Sequence, residues 1–245
     1  MKKVHIVWVT GVLCFILWPR PVFSKPVLRS PLPSSVQEIT IPNTHIAAQG
    51  GQGMVLRGNA PLRSEIKQLK KYGVTDILIF KSQTSNEVDQ EIAWLKAAGY
   101  SRQQIHHIPF LWKNMGPFRQ TCEQTISALR LLSEAYRTPK KSIFFHCTVG
   151  EDRTGFLAGL FRMLAEKWDT QRPFKEELCG RGYEAGDARK PKEVVDEVRK
   201  SLTPAYLKMA VLISSGAITM DDLDDSVCAT EPIVDATTIP QFHCP

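Results

Sequence analysis

Apolar residues recur along this chain in two rhythms, one helical and one strand-like. Met54-Val55-Leu56-Arg57 reads as a short strand. Residues 61–72 place Leu62, Ile66 and Leu69 at helical spacing before Gly73, a C-cap glycine. Residues 74–80 form a continuous apolar run, the mark of a strand buried on both faces. A helix is predicted over 87–98 (Val88, Ile92, Leu95) and closes on Gly99; a strand follows over 105–110. Residues 118–136 repeat the helical spacing through Ile126, Leu129 and Leu132, and 142–146 read as the next strand. Residues 154–168 carry Leu157, Leu160, Phe161 and Leu164 on one face. Further helices are expected near Lys175, near Val194 and over 204–214. Strands alternating with helices predict an α/β fold, a central and mainly parallel sheet flanked by helices.

Both ends depart from this rhythm. Lys2 and Lys3 precede an apolar run from Val4 to Trp18, followed by small residues before a cut after Ser24. That run is shorter than the ~20 residues a membrane-spanning helix needs. Residues 1–24 therefore read as a secretory signal peptide, and the protein as exported, periplasmic or secreted, without a stable membrane anchor after cleavage. Residues 25–50 are rich in Pro, Ser and Gly and read as an irregular arm. The body is expected over 51–220. The last segment, 221–245, carries Asp221, Asp222, Asp224, Asp225, Glu231 and Asp235 without Lys or Arg, an acidic tail.

Composition is that of a globular protein, 43% hydrophobic and 23% charged, which excludes global disorder. The formal net charge is +6, and the acidic tail makes the body more basic still. A basic body suits an anionic substrate, but no interleaving of aromatic and basic residues points to nucleic acid. Once a signal peptide is removed, Cys122, Cys147, Cys179, Cys228 and Cys244 remain. An odd number leaves a thiol over, and Cys147 is the natural free one. Cys228 and Cys244 bracket the tail and are candidates to pair with each other in an oxidising compartment. No Cys/His spacing suggests zinc, and no metal or cofactor is expected.

The chemistry concentrates in His146-Cys147-Thr148-Val149-Gly150-Glu151-Asp152-Arg153-Thr154-Gly155. This stretch joins a predicted strand to a predicted helix, where α/β folds bind ligands. Backbone N–H groups of such a loop, from Thr148 through Arg153, converge on an anion, and the following helix adds the positive end of its dipole. Arg153 can grip two phosphate oxygens at once, as Lys cannot. A helix N-terminus and an arginine lower a cysteine pKa from ~8.5 towards ~3.5–7.5, which makes Cys147 a nucleophile at neutral pH. Thr154 can donate to its sulfur, Gly150 allows a left-handed backbone or a close approach, and His146 reads as a buttress.

The motif His146-Cys147-x-x-Gly150-x-x-Arg153-Thr154-Gly155 resembles the signature of the protein tyrosine phosphatase superfamily, in its compact dual-specificity-like branch. The likeness extends more loosely from Leu56-Arg57-Gly58 to about Trp168. That branch includes bacterial tyrosine phosphatases, phosphoinositide phosphatases and tyrosine-phosphatase-like phytases. The resemblance implies a cysteine-phosphatase-like fold, a phosphocysteine intermediate on Cys147, phosphoryl binding by Arg153, and no metal. The family's usual acid is an Asp on a loop about thirty residues earlier, yet residues 109–118 contain no Asp or Glu. Asp152 is the first candidate to replace it, since Gly150-Glu151-Asp152-Arg153 is similar to a bacterial subgroup with Gly-Lys-Asp-Arg. Glu123 and Asp89 are the others. Glu151 stands where that subgroup carries Lys, and its charge is expected to disfavour a very anionic ligand. Lys113, Lys81 and Arg57 fall near family positions that contact substrate. Phosphotyrosine proteins and inositol polyphosphates both remain open as substrates. A phosphate-binding pseudophosphatase and a rhodanese-like sulfurtransferase are the rival readings.

Overall fold

The computed structural model describes residues 39–245. The predicted signal peptide and most of the predicted arm lie outside the described residues. Among the described residues, five strands form one sheet in the order β1-β2-β5-β3-β4. They are β1 (His45–Ile46), β2 (Met54–Gly58), β3 (Asp76–Ile79), β4 (Ile105–His107) and β5 (Ser142–His146). Only β1 runs antiparallel to its neighbour; β2, β5, β3 and β4 are parallel to one another. β5, which leads into the signature loop, is the middle strand and is buried along its whole length.

Successive side chains on a strand face opposite ways, and the two cores divide accordingly. Val55, Leu78, Ile143 and Phe145 join the larger cluster with α3 (Phe118–Arg137), α4 (Asp152–Glu166) and α6 (Lys192–Ser214). Leu56, Ile77, Ile79 and Phe144 join the other with α1 (Ile66–Lys71) and α2 (Glu87–Ala97). The architecture is thus the expected α/β sandwich, a mainly parallel sheet with helices on both faces. α4 is apolar nearly all round because it lies between the sheet and α6, and Phe156, Leu157, Leu160 and Phe161 are fully buried. Truncating a leucine such as Leu160 to Ala would cost ~2–5 kcal/mol in lost transfer energy and cavity.

Several boundaries move. The first helix is shorter than expected, because residues 63–65 form a turn before it begins. The arm contributes β1, too short to leave a periodic signal. The helices expected near Val194 and over 204–214 are one helix, α6, with Pro204 inside it. Proline removes one backbone donor and ordinarily breaks a helix. Here Val198, Leu202, Tyr206, Met209 and Ala210 lie buried on both sides of it, so packing carries the helix through. Between α4 and α6 the helix expected near Lys175 forms as α5 (Gln171–Pro173) running on into a π-helical turn over Phe174–Leu178, and short 3-10 turns follow up to Gly186.

The expected pairing of Cys228 with Cys244 is corrected. Cys122 in α3 bonds Cys228, and Cys179 bonds Cys244. Each tail cysteine finds a partner in the body, across 106 and 65 residues respectively. Such cross-links restrict the unfolded chain more than a short loop within the tail would. Cys147 is the free cysteine among the described residues.

Candidate active site

The signature loop spans the end of β5 and the first turn of α4. Cys147 is buried, at 2% exposure. Its N–H donates to Thr154 Oγ1 at 2.9 Å. Burial pushes the thiol pKa up, but the Arg153 charge and hydrogen bonds from the Thr154 hydroxyl and N–H outweigh it, and the net shift is downward. The sulfur is therefore predisposed to be a thiolate. Arg153 is held ready: Nη2 donates to Thr148 Oγ1 at 3.1 Å and Nη1 to Phe110 O at 3.4 Å. The second contact joins the loop to residues 110–117.

Gly150 has φ +69°, and a Cβ there would lie 2.6 Å from the backbone carbonyl of Gly58. No other residue type fits, because the loop rests directly on the end of β2. Ala60 N–H reinforces the seat by donating to Thr148 O at 3.1 Å.

Beneath the loop, His146 Nδ1 donates to Cys147 O at 2.8 Å, and Nε2 lies 2.8 Å from Glu91 Oε1. Both partners are buried. Burial disfavours the charged imidazole, yet the Glu91 carboxylate outweighs it and raises the pKa of His146. The contact with Glu91 is a close pairing of charges without hydrogen-bond geometry, so it favours the imidazolium through its field. Glu91 was not among the sequence candidates. The available signal was its place on the buried face of α2 with Val88 and Leu95.

Asp152 Oδ1 accepts from Glu184 N–H at 2.9 Å and from Lys190 Nζ at 2.7 Å. Lys190 Nζ also lies 3.0 Å from Glu151 Oε2 and donates to Gly182 O at 2.6 Å. One buried ammonium thus serves both acids, and the expected negative charge of Glu151 at the mouth is compensated locally. Burial leads the upward shift of the Glu151 pKa, with Lys190 opposing it. Lys190 lies far from the motif in sequence and nothing local marked it.

The other candidates separate. Arg57 is fully buried and is no substrate contact: Nη1 donates to Glu177 Oε1 at 2.8 Å and Nη2 to Gly150 O at 2.6 Å. Lys81 is also buried, its Nζ 3.4 Å from Glu87 Oε2, and is corrected likewise. Lys113 is exposed on the 110–117 loop, its Nζ over the Trp112 ring. Glu123 is bonded by Arg119, both on α3, and Asp89 on α2 by Gln83 in the segment before that helix. Among the described residues neither has a hydrogen bond or ion pair to the signature loop.

A buried thiol predisposed to ionise, an arginine poised beside it and a strand–loop–helix frame make an arrangement able to bind a phosphate and attack it. Comparison with known proteins agrees. The model of the tyrosine phosphatase family matches residues 49–171, half of the chain, and the chain belongs to that family. Solved structures similar to the chain include P. aeruginosa TpbA, at 21% identity and TM-score 0.45, over 76% of this chain and 98% of that one. The core catalytic domain of the S. cerevisiae PP-IP phosphatase SIW14 aligns at 16% identity and TM-score 0.44, over 66% and 86%. Cydia pomonella PTP-2 phosphatase aligns at 16% identity and TM-score 0.43, over 63% and 86%. No curated protein sequence matches the chain significantly.

Proposed function

We propose that this protein is an exported phosphomonoester hydrolase that works through a phosphocysteine intermediate on Cys147. The observation that carries the reading is the loop geometry, which buries Cys147 against the Thr154 hydroxyl and holds Arg153 on Thr148 in the same loop, surroundings that favour the thiolate. The thiolate attacks phosphorus and the P–O bond to the leaving group breaks. Asp152 gives that oxygen its proton from Oδ2, the oxygen that Lys190 and the Glu184 N–H leave free, and Arg153 holds the equatorial oxygens throughout. Water then attacks the phosphocysteine, Asp152 takes back a proton, and inorganic phosphate leaves as the sulfur returns to thiolate. Thr154 stabilises that sulfur as it departs.

Aryl phosphates such as phosphotyrosine suit the mouth better than inositol polyphosphates. Val149 on the loop and Leu111 beside Phe110 expose 46% and 40% of their surface, an apolar setting for a ring. Of the three sequence-predicted basic contacts only Lys113 is exposed, too little charge for a polyphosphate. Two disulfides support an oxidising compartment, consistent with export.

The test is hydrolysis of an aryl phosphate, phosphotyrosine peptides and inositol polyphosphates side by side. The wild type should turn over the aryl esters, while Cys147→Ser should bind them without turnover. Phosphate binding without turnover in the wild type would make the protein a pseudophosphatase. Preferential release from inositol polyphosphates would overturn the aryl assignment.

A further inference from the structure

Two side chains from outside the signature motif meet on one of its carbonyls. Arg57 Nη2, from β2, donates to Gly150 O at 2.6 Å, and Asn43 Nδ2 donates to the same oxygen at 2.9 Å. Asn43 stands in the turn before β1, ahead of the residues matched by the family model. Two donors fill both lone pairs of this oxygen.

The arrangement is held from several sides. Glu177 fixes the guanidinium, since Arg57 Nη1 donates both to its Oε1 at 2.8 Å and to its O at 2.9 Å. Arg57 Nε is buried and without a partner among the described residues. A fold tolerates such a donor where the remaining nitrogens must be aimed. Asn43 Nδ2 also donates to Arg181 O at 3.2 Å, so one amide ties the loop to the segment after Cys179.

We propose that Arg57 and Asn43 are positioning residues for phosphoryl binding: by drawing the Gly150 carbonyl towards β2, they aim the Glu151 N–H into the loop. The Gly150–Glu151 peptide is planar and trans, so its C=O and N–H point in opposite directions. An inward carbonyl would set a negative dipole against both the dianion and the Cys147 thiolate. The outward carbonyl removes that repulsion and supplies a donor instead. This rests on the reading of the loop as a phosphate site.

The experiment uses the full chain and tungstate, a phosphate mimic that needs no turnover. Tungstate affinity is measured by calorimetry, and the pH profile of Cys147 alkylation by iodoacetamide is recorded beside it. Asn43→Ala, at a half-buried position, should bind tungstate about five-fold more weakly, the equivalent of one hydrogen bond. Its alkylation midpoint should move to higher pH. Asn43→Asp, which sets a carboxylate against the carbonyl, should lose more. Arg57→Lys, which cannot hold Glu177 and Gly150 in the same fork, should also weaken binding. Wild-type affinity and an unmoved alkylation profile in Asn43→Ala would overturn the proposal. So would a loss that vanishes when proteins are compared at equal distance below their unfolding midpoints. If the wild type itself fails to bind tungstate, the phosphate-site reading fails and the positioning role falls with it. If the wild type binds and Asn43→Ala binds equally, only the positioning role fails.

Discussion

At the scale of single residues, chemistry turns on what surrounds one sulfur atom. A lowered pKa means that Cys147 carries its charge at a pH where an ordinary thiol is still protonated. Its alkylation by iodoacetamide should therefore have a midpoint below the ~8.5 of a free thiol. Thr154→Ala removes a hydrogen bond to the thiolate and should move that midpoint up; Thr154→Ser should largely restore it. An unmoved midpoint in Thr154→Ala would remove Thr154 from the account. Arg153→Lys keeps a charge but loses the fork, so kcat/KM should fall on the order of 100-fold, the cost of one transition-state donor. These residues were legible in sequence because the chemistry needs them within one loop, at fixed spacing. Glu91, Lys190 and Asn43 were not, because they reach the loop through the fold. Asp152 lies between the two cases: the motif marks it, while its partners Glu184 and Lys190 come from afar. Asp152→Asn should cost most on esters with poor leaving groups and little on activated ones. Equal losses on both would sink the proton-transfer role.

At the scale of elements, Glu177 joins three pieces of the fold. Its carboxylate takes Arg57 from β2, Arg162 from α4 at 2.9 Å, and His45 from β1 at 3.1 Å. Burial disfavours this carboxylate, yet its hydrogen bond with His45 and the charges of Arg57 and Arg162 pull its pKa down to about 2. A folded-state pKa below the unfolded one contributes stability above about pH 4.5 that is lost as pH falls through about 2. The contribution at neutral pH is on the order of 3 kcal/mol. In urea unfolding, Glu177→Gln should be clearly less stable than the wild type at pH 6, and the gap should narrow as pH falls towards 2. A gap independent of pH would show that the ion cluster is not its source. Strands and amphipathic helices of this size declare themselves by period, which is why β5, α3 and α4 were read almost to the residue. Pro204 misled because a local rule about missing donors yielded to a buried face extending on both sides. β1 is two residues long and has no period to read.

At the scale of the whole molecule, the acidic tail is stitched to the body at two places with different consequences. Cys228 joins α3 at Cys122, one turn after residues 110–117 enter that helix. Cys244 joins Cys179, and its N–H donates to the buried Glu184 carboxylate, which also takes Arg199. The backbone N–H of Glu184 in turn holds Asp152. The tail's end is therefore two bonds from the loop that carries the nucleophile, and charge alone could not have located it. By loop length both cross-links are worth about 4–5 kcal/mol in the chain-entropy picture, with measured values commonly nearer 2–4. Replacing either pair with Ser should therefore lower the unfolding midpoint by a similar amount. Function should separate them. Without Cys179–Cys244, the turn through Glu184 loses its anchor, Asp152 loses a fixed donor, and kcat on a poor-leaving-group ester should fall several-fold in protein that is still folded. Without Cys122–Cys228, turnover by folded protein should stay near wild type. Steady-state kinetics well below each midpoint would decide the matter: equal kcat values for the two variants would mean that the tail serves stability alone.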